Sequence, residues 1–159
     1  MAGIIDAFIT FLETEKLANC RSCVPCTSDQ IAEIEERFAV TLPQMYRDFL
    51  LNMGQGSGRF LRGSDLHYPE ILDLREGAED LLDECSNPSA LKQDDFVFFM
   101  HQGYQFAYFS CNDGDDPPVW YYMEGDDAPI QSWPSFTAYL WDTAIEEGKG
   151  WRIVDRGGI

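Results

Sequence analysis

The chain has 159 residues, of which 45% are hydrophobic and 14% aromatic. That is enough to bury a core of its own, in one globular domain rather than a disordered segment. The formal net charge of −17 argues against nucleic acid or an anionic membrane as a partner, because both repel a polyanion, and suits either a basic protein partner or simple solubility. Ten acids stand against two bases over Asp65–Asp95, and six against none over Asp113–Asp127.

The N-terminal stretch Met1–Leu12 is apolar but broken by Asp6, with no basic start and no small-residue cleavage site, so it does not read as a secretory leader. No apolar run reaches transmembrane length. Five cysteines in such a chain predict free thiols in a reducing, cytoplasmic setting.

In chain order, Ile4, Ile5, Phe8, Ile9, Phe11 and Leu12 recur at helical spacing and predict a helix from about Gly3 to Leu17. A loop over Asn19–Thr27 carries Cys20, Cys23 and Cys26. Thr27 and Gln30 have the spacing of a capping box and open a second helix with Ile31, Ile34 and Phe38 inward. Pro43 suits the first turn of a third helix that buries Met45, Tyr46, Phe49 and Leu50, with Gly54 as its left-handed exit. Tyr68–Leu72 reads as a short strand. Asp73 and Glu76 then form a second capping-box pattern, opening a helix with Leu74, Ala78, Leu81, Leu82 and Cys85 inward.

The aromatic runs Phe96–Met100, Gln105–Cys111 and Val119–Met123, separated by Gly and Asp turns, predict three strands of an antiparallel meander. A last helix, capped by Ser132 or Ser135, buries Phe136, Tyr139, Leu140 and Ile145 and closes near Gly148. The tail Trp151–Ile159 is expected to add an edge strand over Trp151–Val154. The fold class is therefore α+β, an antiparallel sheet meander packed against N-terminal and C-terminal helices.

Consecutive pairing of the three strands puts Asp94 and Asp95 at the same end of the sheet as Asp113, Asp115 and Asp116. No basic residue falls between Asp94 and Asp127, so this end is expected to form a five-aspartate cluster without counter-charge. The Glu124–Asp127 turn falls at the other end.

The run Ile31-x-x-Ile-Glu-x-x-Phe38, then Leu42-Pro43-x-x-Tyr46-Arg-x-Phe49-Leu50, then Asn52-x-Gly54-x-Gly56 resembles the opening of SMI1/KNR4 (SUKH superfamily) domains. Ile71–Glu84, Gly103–Met123 and Ser135–Leu140 resemble that family's later strand and helix, central hairpins and closing helix. The resemblance divides the chain into an N-terminal helix and cysteine loop over 1–26, an SMI1/KNR4-like domain over 27–148 and a tail over 149–159, all in one compact unit. It assigns Leu42, Pro43, Tyr46, Phe49 and Gly54 to the scaffold. It also implies a non-enzymatic binding protein, either an immunity protein against a toxin domain or a regulatory scaffold in signalling or cell-wall synthesis.

The other motifs have plainer readings. Cys20-x-x-Cys23-x-x-Cys26 offers three metal ligands, but a zinc site needs a fourth and no second close pair exists, so no metal is assigned. Asn112–Asp116 lacks the spaced oxygens of a calcium loop. The loop Gln55–Arg62, with Arg59 and Arg62, lacks the lysine and the strand–loop–helix setting of a P-loop and reads as a turn. His67 and His101 stand in no recognisable catalytic context, and no cofactor is implied. The expected partner-binding residues are Asp94, Asp95, Asp113, Asp115 and Asp116, with Tyr104, Trp120 and Tyr122 as aromatic anchors.

Overall fold

The structure, a computed structural model, describes residues 3–157. Five α-helices flank a four-stranded antiparallel sheet. The N-terminal half comprises α1 (Ile4–Thr14), β1 (Cys23–Val24), α2 (Ser28–Phe38), α3 (Gln44–Met53) and β2 (Gly56–Ser57). A 3₁₀ turn over Glu70–Leu72 leads into α4 (Leu74–Glu84). Then follow β3 (Asp95–His101), β4 (Gln105–Ser110), β5 (Val119–Met123), β6 (Ile130–Trp133) and α5 (Phe136–Asp155). The strand order is β3-β4-β5-β6, with β1 and β2 forming a separate two-stranded ladder.

Local chemistry sets the helix starts. The Thr27 hydroxyl accepts the Gln30 N–H at 3.1 Å, and the Gln30 carboxamide accepts the Thr27 N–H at 2.9 Å. This reciprocal box satisfies two of the donors that a helix start leaves open. Ala39, in the left-handed region, ends α2. The carboxylate of Glu35 then accepts the Leu42 N–H at 2.8 Å and fixes the turn into α3.

Tyr46 sits at the centre of the core, with the rings of Phe49, Phe96, Phe98, Phe109 and Phe136 between 5.2 and 6.1 Å from its own. Full burial of each such ring contributes on the order of 2–3 kcal/mol. Phe98 lacks a partner in β4 because Val97 pairs with Tyr108 and Phe99 with Ala107. This bulge turns both Phe98 and Phe99 toward Tyr139 of α5. The sheet is therefore covered on one face by α3 and α5. The other face carries Met100, Phe106, Tyr108, Trp120 and Tyr122. There α4 covers part of it, with Gly77 against Met100.

Five expectations change. Ile145, expected to be buried by the last helix, is exposed on α5. Tyr68–Leu72 forms no strand; Glu70–Leu72 is a 3₁₀ turn that delivers the chain to α4. The last helix does not close near Gly148 but continues to Asp155, so Trp151–Val154 is helical rather than an edge strand; residues 158–159 of the tail lie outside the described residues. The edge strand is β6 instead. Gly54 is right-handed (φ −66°), and its lack of a side chain serves a close approach, since a Cβ there would lie 2.7 Å from the Leu50 carbonyl oxygen and against the Cys26 sulfur. Asp73 precedes α4 but makes no capping hydrogen bond.

Candidate partner-binding surface

The strand register brings the five aspartates to one end of the sheet. Asp95 pairs with Ser110, and the Cys111 N–H donates to the Asp94 carbonyl at 2.9 Å. Their side chains nevertheless have different roles. The Asp94 carboxylate accepts from the Asn112 amide. Asp95 is half-buried and accepts the Lys92 N–H at 2.8 Å. Burial raises its carboxyl above the usual value, although the Lys92 hydrogen bond and the charges of Arg75 and Lys92 pull it down. Asp116 accepts the Thr137 N–H at 2.9 Å, in the first turn of α5. Asp113 and Asp115 are exposed, and their carboxylates make no hydrogen bond among the described residues.

The expected absence of counter-charge is therefore wrong in three dimensions. Arg75 reaches over from α4 and donates to the carbonyls of Lys92 (2.7 Å), Asp95 (2.9 Å) and Leu91 (3.2 Å). It pins the approach to β3 and brings a guanidinium beside Asp95. The cluster reduces to two free carboxylates, Asp113 and Asp115, beside three that the fold already uses.

The aromatic anchors also separate. Trp120 is half-buried on the face covered by α4, stacked on Tyr108 with ring centroids 6.3 Å apart. Tyr104 lies at the opposite end, its carbonyl accepting the Glu124 N–H at 2.8 Å. Tyr122 is fully buried beside Phe106 and cannot reach a partner.

A cavity of about 480 Å³ opens where Trp120 and Tyr108 meet the acidic end. The two rings lie beside Leu82 of α4 and Leu91–Lys92, and Asp95, Asp113 and Pro129 complete the walls. Burial, with a contribution from the Asp95 charge, pushes the Tyr108 hydroxyl up to about 12, so it remains a neutral donor. Ring faces and carboxylates both attract cations, so the cleft is chemically suited to a lysine or arginine side chain. Sequence reasoning misses Tyr108, although its register opposite Trp120 is a signal that could have found it.

Two other groupings bring reactive side chains together. The Ser57 hydroxyl lies 2.8 Å from His67 Nε2, yet it donates its proton to the Phe60 carbonyl at 3.0 Å and is 2% exposed. His67 therefore donates to Ser57, the reverse of a general base acting on a nucleophile. Of the three N-terminal cysteines, Cys20 is exposed, Cys23 lies in β1 and Cys26 is buried, its thiol pushed up to about 11 by burial. No group of three His, Cys, Asp or Glu side chains among the described residues is placed to hold a metal ion. No helix among them is long and apolar enough to cross a membrane.

Comparison with known proteins agrees with this architecture. No curated protein matches the chain. A family model described as SMI1 / KNR4 family (SUKH-1) matches residues 25–142, which hold α2 to α4, the whole four-stranded sheet and the start of α5. Leu42, Pro43, Tyr46, Phe49 and Gly54 are all buried within that span. The chain belongs to the SMI1/KNR4 family (SUKH-1), an α+β family that includes immunity proteins.

Proposed function

We propose that this chain is a non-enzymatic, cytoplasmic immunity protein that neutralises a basic toxin domain by stoichiometric docking. The observation that carries the reading is the cleft beside the sheet end, where Asp113 stands unpaired next to the Tyr108–Trp120 stack. A basic residue of the partner enters there, and Asp115 extends the negative field along the same end. The net charge of −17 steers a cationic partner and sets the rate of encounter. Burial of the aromatic pair supplies the slow dissociation. A nuclease toxin fits, because its nucleic-acid-binding face is basic and docking would occlude it. A regulatory scaffold in signalling or cell-wall synthesis is the second reading; it shares the family but does not need the acidic end.

The test is capture of the products of neighbouring genes by the full chain, at low and high salt. The reading expects one basic partner, bound one to one, lost at high salt and on combining Asp113→Lys with Asp115→Lys. Capture that survives both treatments overturns the acidic docking surface. Absence of any basic partner moves the scaffold reading to first place.

A further inference from the structure

The eleven basic residues of this acidic chain are unevenly placed. Lys16, Arg59, Arg62, Arg152 and Arg156 line two adjoining clefts that share Lys16 and have no lining residue in common with the cleft at the acidic sheet end. The larger has a volume of about 340 Å³ and lies between the end of α1, the Asn19–Ser22 loop and the Gly58–Arg62 turn.

Ion pairing accounts for only part of this cluster. Arg59 binds Asp155 through two hydrogen bonds of 2.9 and 3.2 Å, and Arg152 pairs with Glu15. Lys16, Arg62 and Arg156 make no ion pair among the described residues, and the unpaired acid lining the clefts is Glu13. Helix C-termini favour the cations of α1 and α5. Arg59 and Arg62 belong to a turn, so that effect does not explain them.

Their placement is built into the backbone. Gly58 has φ +63°, and a Cβ there would lie 2.7 Å from the Leu17 carbonyl oxygen and 2.8 Å from the Ser22 hydroxyl. The Arg59 N–H closes the turn on the same Leu17 carbonyl at 2.7 Å. The turn is thereby drawn against the end of α1, opposite Lys16. Arg59 is then laid over the Trp151 ring at 4.2 Å, with Arg62 at 5.8 Å from the same ring. Asn19 Oδ1 accepts the N–H groups of Arg21 and Ser22, so the Asn19 amide remains free to donate. The positive field is felt locally: Arg59 holds the Asp155 carboxyl below its usual value, with a further contribution from Lys16.

We propose that this cleft binds an anion carrying two or more phosphate groups, held by Arg62 and Lys16 with the Asn19 amide as donor. Glu13 is the unpaired acid lining this cleft, against the free cations Lys16 and Arg62, and the volume of about 340 Å³ exceeds that of one phosphate. Guanidinium and ammonium groups recognise phosphate oxygens through charge-assisted hydrogen bonds. The chemistry is shared by free polyphosphate and by a nucleoside diphosphate. This site is independent of the acidic docking surface and stands or falls without it.

Calorimetric titration of the full chain with pyrophosphate at low ionic strength tests the proposal, with sulfate at matched ionic strength as the control. The expected result is one-site saturation, weakened at least tenfold by Arg62→Glu but less than twofold by Arg37→Glu. Arg37→Glu makes the same charge change at an exposed residue of α2 paired with Asp73. Tighter binding of ADP than of pyrophosphate assigns the site to a nucleotide, and the reverse assigns it to free polyphosphate. No saturation, equal binding of sulfate, or equal weakening by the two substitutions overturns the site.

Discussion

Asp116 accepts the N–H of Thr137 at 2.9 Å, across the gap between the β4–β5 connection and the first turn of α5. Ser135 caps the next donor of the same helix, accepting the Ala138 N–H at 3.0 Å. A carboxylate at a helix start also gains from the helix dipole. Asp116→Ala should therefore lower the unfolding free energy by about 1 kcal/mol. Asp113→Ala, at an exposed position three residues away, should change it by less than about 0.5 kcal/mol. Urea denaturation of the two variants separates the structural aspartate from the free one; equal effects would show that the cluster acts as a unit.

Tyr46 presents the opposite case, a polar atom without a partner. Its hydroxyl is buried and makes no hydrogen bond among the described residues. Burial raises its pKa well above the usual tyrosine value, so it remains neutral. Removing an unsatisfied buried hydroxyl relieves a desolvation penalty, so Tyr46→Phe should be neutral or stabilising by up to about 1 kcal/mol. Tyr46→Ala removes the ring around which Phe96, Phe98, Phe109 and Phe136 pack, and should destabilise by about 3–5 kcal/mol. A loss above about 1 kcal/mol in the Phe variant, measured by chemical denaturation, would mean that the hydroxyl has a partner in solution.

The elements legible in the sequence are those with strong local signals. The Thr27–Gln30 box, the Pro43 entry to α3 and the three aromatic strands all combine a turn or cap with a buried periodic face. Strand β6 has neither. Its four residues stand between Pro129 and Pro134, and Ile130, Gln131 and Ser132 are exposed, so no alternation marks it. At the candidate site, the shared end of the aspartates follows from strand order alone. The Asp116 cap, the Arg75 bridge and the burial of Tyr122 depend on α4 and α5, which pack against the sheet from distant parts of the sequence.

Two glycines explain why the sequence predicts too short an α5, and one of them offers a check on the longer helix. Gly148 has the look of a helix terminator, but it is buried where α5 passes Glu15 at the end of α1; a Cβ there would lie 2.8 Å from the Glu15 carboxylate. Gly150 is helical and exposed, and a Cβ added there would meet nothing within 4 Å. Gly150→Ala should then stabilise by about 0.5–1 kcal/mol through helix propensity alone. Gly54→Ala should destabilise by about 1–3 kcal/mol, because the new methyl meets the Leu50 backbone. Thermal melts that rank the two variants in the reverse order would place Gly150 outside a helix.

The last prediction concerns His67, which joins the β2 segment to the approach to α4 through its 2.8 Å contact with Ser57. Burial lowers its pKa below the ordinary 6.5, and the Glu70 charge opposes part of that shift. In the unfolded chain the imidazole takes up a proton near its ordinary value, whereas the folded chain resists it. The unfolded state therefore binds more protons just below that pH, and stability falls as pH drops through the window. The contribution is fully present above it. Asp95 and Glu147 act with the opposite sign, since burial raises both carboxyls and the native state gains stability as they protonate at lower pH. Urea midpoints between about pH 7.5 and about pH 5.5, compared for the native chain and His67→Gln, isolate the histidine. The native chain should lose more stability than the variant across this range, and parallel curves would mean that His67 titrates normally and that its burial is not maintained in solution.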